Sequence, residues 1–98
     1  MSQRPYELVF ILPPSLAEDE INSVQEHIIG WITDQGGNII KTSPWGRRRL
    51  AYSIQNYKEG YYFEIDFNAE TSSIKDLERR LRLEPGVIRH LIVQDEAQ

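Results

Sequence analysis

Cysteine is absent from this 98-residue chain. No disulfide can staple it, and no thiolate is available as a nucleophile or metal ligand. A reducing compartment is compatible with that. Histidine is scarce: His27 falls one step off a helical apolar stripe, and His90 lies in the last apolar run. Neither has the spacing to a second ligand or orienting acid that a metal site or nucleophilic centre requires. Glycine is missing where an acylphosphatase-like enzyme would need an anion cradle, since the first apolar run ends in Leu12-Pro13-Pro14-Ser15. The residues therefore point away from an enzyme, and they imply no cofactor, metal or small-molecule substrate. No apolar run approaches a membrane span, and Met1 to Tyr6 has neither signal-peptide nor transit-peptide character. A cytoplasmic protein with no membrane partner is expected.

Lysine is also sparse. Eight of the 11 basic residues are arginine, against 15 acidic residues, for a net charge of −4 and a pI near 5.1. That balance argues against a non-specific nucleic-acid binder. The arginines are grouped, however: Arg47, Arg48 and Arg49 in one triplet; Arg79, Arg80 and Arg82 in a second group; Arg4 and Arg89 near expected strand ends. Arginine's planar fork suits phosphate and carboxylate. An acidic body with local arginine clusters fits docking at one defined site.

The periodicities alternate between two and about 3.6. Tyr6 to Leu12 reads as a strand with Tyr6, Leu8, Phe10 and Leu12 on one face and Glu7, Val9 and Ile11 on the other, which suits a central position. Ser15-Leu16-Ala17-Glu18 reads as a capping box, followed by the helical stripe Ile21, Val24, Ile28, Ile32 and a stop at Gln35-Gly36-Gly37. Asn38 to Ile54 reads as a strand broken at Pro44-Trp45-Gly46, and an internal proline favours an edge. Asn56 to Gly60 is expected to be the hairpin loop. Tyr61, Phe63, Ile65 and Phe67 then alternate with Tyr62, Glu64 and Asp66. Thr71-Ser72-Ser73 offers caps for a second helix with Ile74, Leu77 and Leu81 inward, and with Asp76–Arg80 and Glu78–Arg82 pairs on its surface. Val87 to Val93 reads as the last strand; its apolar residues fall on both parities and leave its inward face unassigned.

The order βαββαβ specifies an α+β, ferredoxin-like fold. Right-handed crossovers place both helices on one face of a four-stranded antiparallel sheet of order 4-1-3-2. One domain spans residues 1–94, and residues 95–98 form a short acidic tail expected to fray. The arginine triplet then sits on an edge strand. The fold's other RNA-binding use, stacking bases on third-strand aromatics, is disfavoured, because Tyr62 would share the uncovered face with Glu64 and Asp66. Binding at sheet edges and ends remains. Arg47 to Arg49 either blunt the edge against aggregation or meet a polyanion or acidic partner. Arg79, Arg80 and Arg82 are either a solvated helix face or a second contact. Trp45 either covers the core or stands out as an anchor, and Tyr57 is expected to be exposed in the hairpin loop. The rival to a binding role in a larger assembly is a self-associating, ligand-binding ferredoxin-like module whose edge pairs with its own copy.

Gly46-Arg47-Arg48-Arg49-Leu50-Ala51-Tyr52-Ser53-Ile54 resembles the signature stretch of ribosomal protein six of the bacterial small subunit. Arg4-Pro5-Tyr6-Glu7, Asp34 to Gly37, Tyr57 to Gly60, Leu77 to Leu83 and Val87-Ile88-Arg89-His90 resemble further parts of that family, so the likeness covers nearly the whole chain. The resemblance implies a non-catalytic component of the 30S subunit that binds the central domain of 16S rRNA together with ribosomal protein eighteen. It implies that Arg47, Arg48 and Arg49 lie near the partner and RNA surface, and that Arg4, Tyr6 and Arg89 lie near the sheet end facing RNA. It also gives the acidic pI a purpose, since the implied partner is strongly basic.

Overall fold

The computed structural model describes residues 3–95. Its elements are β1 (Gln3–Leu12), α1 (Glu18–Asp34), β2 (Asn38–Ile54), β3 (Tyr57–Glu70), α2 (Thr71–Leu83) and β4 (Arg89–Gln94). The strands form one antiparallel sheet ordered β2-β3-β1-β4, the expected ferredoxin-like topology read from its other edge. Long alternating strands supply the framework. Tyr6, Leu8, Phe10 and Leu12 of β1 and Phe63, Ile65 and Phe67 of β3 face the helices and are buried. Tyr6 pairs directly with Phe67, Leu8 with Ile65 and Phe10 with Phe63, so aromatic rings stack across the strands at 5.7 and 5.4 Å. Val24, Ile28 and Ile32 of α1 and Leu77 and Leu81 of α2 close the layer, with Trp31 packed at its margin beside His27. Fully burying a side chain such as Phe67, Leu8 or Ile28 contributes about 1.5–3 kcal/mol each.

The caps differ from the expected ones. α1 begins at Glu18 with Ala17 as N-cap, and the Ala17 N–H donates to Glu20 Oε1 at 2.8 Å. Half of a capping box is therefore present, shifted two residues from Ser15–Glu18, because Leu16 turns back on Pro13. Glu70, not Thr71 to Ser73, caps α2, and Ser73 Oγ donates to the Glu70 carbonyl. The α1 stop is as expected: Gly36 takes φ +86°, and the Gly37 N–H returns to the Ile32 carbonyl at 3.0 Å.

The hairpin departs most. Its loop is the two-residue turn Gln55-Asn56, with φ +51° and +70°, and Tyr57 to Gly60 belong to β3. Two successive positive φ values match strand twist, and asparagine tolerates them. Gly60 is needed for packing instead: a Cβ there would lie 2.4 Å from Ile11 Cγ2. β1 ends opposite Tyr61, so the hairpin beyond it overhangs the sheet. There Leu50 to Ser53 stand opposite Lys58 alone, and the excess chain bulges. Leu50 buries against Ile11 and Ile88 on the face away from the helices, with Ile54, Tyr57 and Tyr62 around them. Tyr57 is thus half-buried packing rather than an exposed loop ring. β4 starts at Arg89, two residues later than expected, because Val87 and Ile88 are a buried approach. Its pairing with β1 puts His90 and Ile92 on the helix side and Arg89, Leu91 and Val93 on the other. Asp95 is held by its N–H to the Pro5 carbonyl at 2.9 Å, and the rest of the expected tail, 96–98, lies outside the described residues.

Candidate functional site

β2 is an edge strand, so the arginine triplet sits on a sheet edge. The break at Pro44–Gly46 is a bulge: Pro44 pairs with Phe63 and Gly46 with Tyr62, which leaves Trp45 as the extra residue. Gly46 makes it possible with φ +88°. The bulge swings Trp45 onto the uncovered face, where its ring stacks on Tyr62 at 5.9 Å and 3° between planes. Trp45 thereby covers Tyr62 rather than the core and remains 38% exposed.

Alternation then divides the arginines. Arg48 shares the face of Trp45, with its guanidinium 5.6 Å from the indole centroid and its Nε donating to the Trp45 carbonyl at 3.4 Å. Arg47 turns the other way, bonds Glu59 at 2.8 Å and lies 6.0 Å from the Tyr61 ring. The Glu59 carboxylate, through its hydrogen bond and then its charge, raises the Arg47 pKa further above its ordinary value. Arg49 is exposed and makes no ion pair among the described residues. One strand thus presents one stacked, one paired and one unengaged guanidinium.

The remaining predicted residues do not converge. Arg89 lies at the same end: its Nη1 donates to the Tyr52 hydroxyl at 2.6 Å and ties the hairpin bulge to β4. Arg4 pairs with Ala69 and Arg89 with Ile11, so they occupy opposite ends of β1 rather than one sheet end. Seven residues of strand separate the two levels, about 24 Å. Tyr6 is 6% exposed, with its ring in the core and its hydroxyl on Thr71 Oγ1 at 3.2 Å, so it offers no stacking surface. On α2, Arg79 and Arg80 both clamp Asp76, at 2.6 and 2.8 Å. Those hydrogen bonds, Arg79's first and Arg80's next, hold the Asp76 carboxyl below its usual range. Arg82 is exposed and does not pair with Glu78, because Glu78 meets His90 of β4 at 2.5 Å. Alternation hid that contact: His90 could be assigned a partner only once its strand's inward face was known.

The uncovered face carries an acidic group in its middle. Glu7, Glu64 and Asp66 bring carboxylate oxygens within 4.8 Å of one another. A hydrogen bond with Asp66, then burial, then the charges of Asp66 and Glu7 push the Glu64 carboxyl up, against the Trp45 indole, which lowers it. Glu7 was missed as a member of this group because the β1–β3 register, which sets it opposite Asp66, cannot be read from one strand.

The fold and the edge define a class: a small α+β, ferredoxin-like protein that carries an arginine triplet on an edge strand. A sequence model described as Ribosomal protein S6 matches residues 5–94. The chain is 37% identical over 93 residues to small ribosomal subunit protein bS6 of Carboxydothermus hydrogenoformans, covering 95% of this chain and 97% of that one. It is 38% identical over 95 residues to the bS6 of Moorella thermoacetica, with 97% of each covered. The crystal structure of 30S ribosomal protein S6 from Thermotoga maritima superposes with a TM-score of 0.90 at 31% identity, over 95% of this chain and 88% of that one. The C-terminal domain of MgtC from Mycobacterium tuberculosis shares the fold alone, with a TM-score of 0.67 at 15% identity. This chain belongs to the Ribosomal protein S6 family. It is a structural protein of the small ribosomal subunit, not an enzyme, and its place is the cytoplasmic ribosome.

Proposed function

We propose that the protein binds the central domain of 16S rRNA jointly with ribosomal protein eighteen, and that β2 and its arginines form the contact rim. The observation that carries this reading is the divided triplet. Arg49 is unengaged, and Arg48 is already ordered on Trp45, so part of the entropy of fixing its side chain is met before binding. Guanidinium groups held on an edge strand neutralise backbone phosphate while the acidic middle of the sheet stays clear of it. Arg89, latched to Tyr52 at the same end, extends the rim. Arg4, Arg79, Arg80 and Arg82 are subsidiary, the first by its distance and Arg79 and Arg80 by their engagement with Asp76.

Arg48→Glu combined with Arg49→Glu tests the assignment by reconstitution with rRNA and the partner. Both side chains are exposed, so thermal melting should be unchanged within about 0.5 kcal/mol. Incorporation should weaken by at least about tenfold at moderate salt, as expected when two phosphate contacts become repulsive. Wild-type incorporation by the folded double variant would remove the arginines from the interface.

A further inference from the structure

The arginines that are held in place divide by what holds them. Arg47 is bonded to Glu59, and Arg79 and Arg80 to Asp76, so a carboxylate both orders each of them and answers its charge. Arg48 and Arg89 are ordered by neutral groups. Arg48 has the Trp45 ring and carbonyl; Arg89 has the Tyr52 ring, with its guanidinium carbon 5.6 Å from the centroid, and the Tyr52 hydroxyl, 2.6 Å from Nη1. Among the described residues Arg89 has no carboxylate within 4.0 Å and makes no other side-chain hydrogen bond, so the rest of its fork stays open. The contact is an unusual one for the topology. Tyr52 belongs to one edge strand and Arg89 to the other, with two strands between them. The excess chain at Leu50 to Ser53, opposite Lys58, carries the tyrosine across beyond the end of β1. Anchoring the hairpin does not require this bond. Leu50, 7% exposed, already buries against Ile11 and Ile88, whereas Tyr52 is 59% exposed and shares with Arg89 the lining of a hollow of about 190 Å³.

We propose that Tyr52 is a positioning residue for RNA binding: its ring and hydroxyl fix the Arg89 fork so that the open N–H groups meet a backbone phosphate. The inference rests on the RNA reading above and adds a residue that acts through Arg89 rather than by touching RNA. A neutral partner suits that task. It removes rotamer freedom before binding and leaves the whole positive charge for the phosphate. A carboxylate in its place would order the fork and neutralise it together.

Titration of a 16S central-domain fragment with the full chain, at saturating ribosomal protein eighteen and several salt concentrations, tests this. Tyr52→Phe keeps the ring and removes one hydroxyl at an exposed residue, so the melting temperature should move by less than about 4 °C. It should weaken rRNA binding about three- to tenfold and leave the slope of log affinity against log salt unchanged, because the charge of Arg89 is still there to make its contact. Arg89→Gln should weaken binding further and lower that slope by about 0.7–0.9. In the Arg89→Gln background Tyr52→Phe should change nothing, since the group it positions is gone. An equal loss in both backgrounds would make Tyr52 an independent contact and overturn the inference, as would wild-type affinity in Tyr52→Phe alone. A matching fall in affinity for ribosomal protein eighteen without RNA would overturn it too. Arg89→Gln without effect, while Arg48→Glu with Arg49→Glu still loses rRNA, overturns this inference and leaves the rim standing; both without effect overturn the two together.

Discussion

Glu64 shows how a single residue can work against its own fold. Its carboxyl is pushed up, chiefly by Asp66, so folding favours the protonated form. A raised acid pKa contributes stability that is present below the ordinary glutamate value and is lost as pH rises through the folded value. At neutral pH the ionised group is therefore a cost, set chiefly by the like-charged Asp66 two residues along the same strand. Glu64→Gln should stabilise the protein by about 0.5 kcal/mol at pH 7, or roughly 2–4 °C in melting temperature, and by nothing near pH 3. Melting curves at the two pH values check it, and a variant no more stable than the wild type at pH 7 would contradict the assigned cause. At this scale the sequence was legible wherever alternation decides a face: Glu64 and Asp66 do lie on the uncovered side. It was illegible wherever a partner lies on another strand, as for Glu7 beside Asp66 or Tyr52 beneath Arg89. Tyr6 failed for a different reason. A tyrosine at the start of a strand has the same pattern whether its ring stacks on a ligand or, as here, on Phe67.

Among the elements, the β2–β3 hairpin carries most of what is particular to this protein. Its two-residue turn contains no glycine, and Gly60, the residue that looked like loop punctuation, sits in a paired strand. The sequence cannot distinguish a glycine required by φ from one required by a neighbour, and here the neighbours are the Ile11 side chain and, at 3.1 Å from a Cβ, the Leu12 carbonyl. Gly60→Ala should accordingly destabilise by about 2 kcal/mol through overpacking, lowering the melting temperature by roughly 10 °C. The same change at Gly30, in α1 with open space around it, should stabilise by up to about 1 kcal/mol. Paired melting curves give both signs at once, and a neutral Gly60→Ala would show that the overhang relaxes away from β1. The bulge at Trp45 was half legible: proline and glycine marked a break, but which face received the indole depended on the register with Tyr62.

Across the whole molecule, which measures 41 × 26 × 21 Å, the net charge of −4 conceals a partition. Glu7, Glu64 and Asp66 gather in the middle of the uncovered sheet face, while Arg4, Arg47, Arg48, Arg49 and Arg89 lie on the strands towards the two ends of the sheet and Arg79, Arg80 and Arg82 lie on α2. Composition gives the total, and topology gives the distribution. The topology itself was the most legible feature, because six segments in the order βαββαβ leave few right-handed arrangements. It also fixes how the arginines combine. Arg4 lies at one end of the sheet, while Arg49, opposite Glu59 on the overhang, lies beyond the other. Side chains more than about 24 Å apart along a strand direction cannot share one phosphate. If both contact RNA they touch separate phosphates, and their effects should add. In a double-mutant cycle of Arg4→Ala and Arg49→Ala, the coupling energy for rRNA binding should stay within about 0.5 kcal/mol of zero. Each single change should reduce the slope of log affinity against log salt by about 0.7–0.9, and the double change by twice that. Strong coupling would mean that the RNA bends to bring both arginines to one phosphate cluster, and an unchanged slope on removal of Arg4 would confine the RNA contact to the hairpin end.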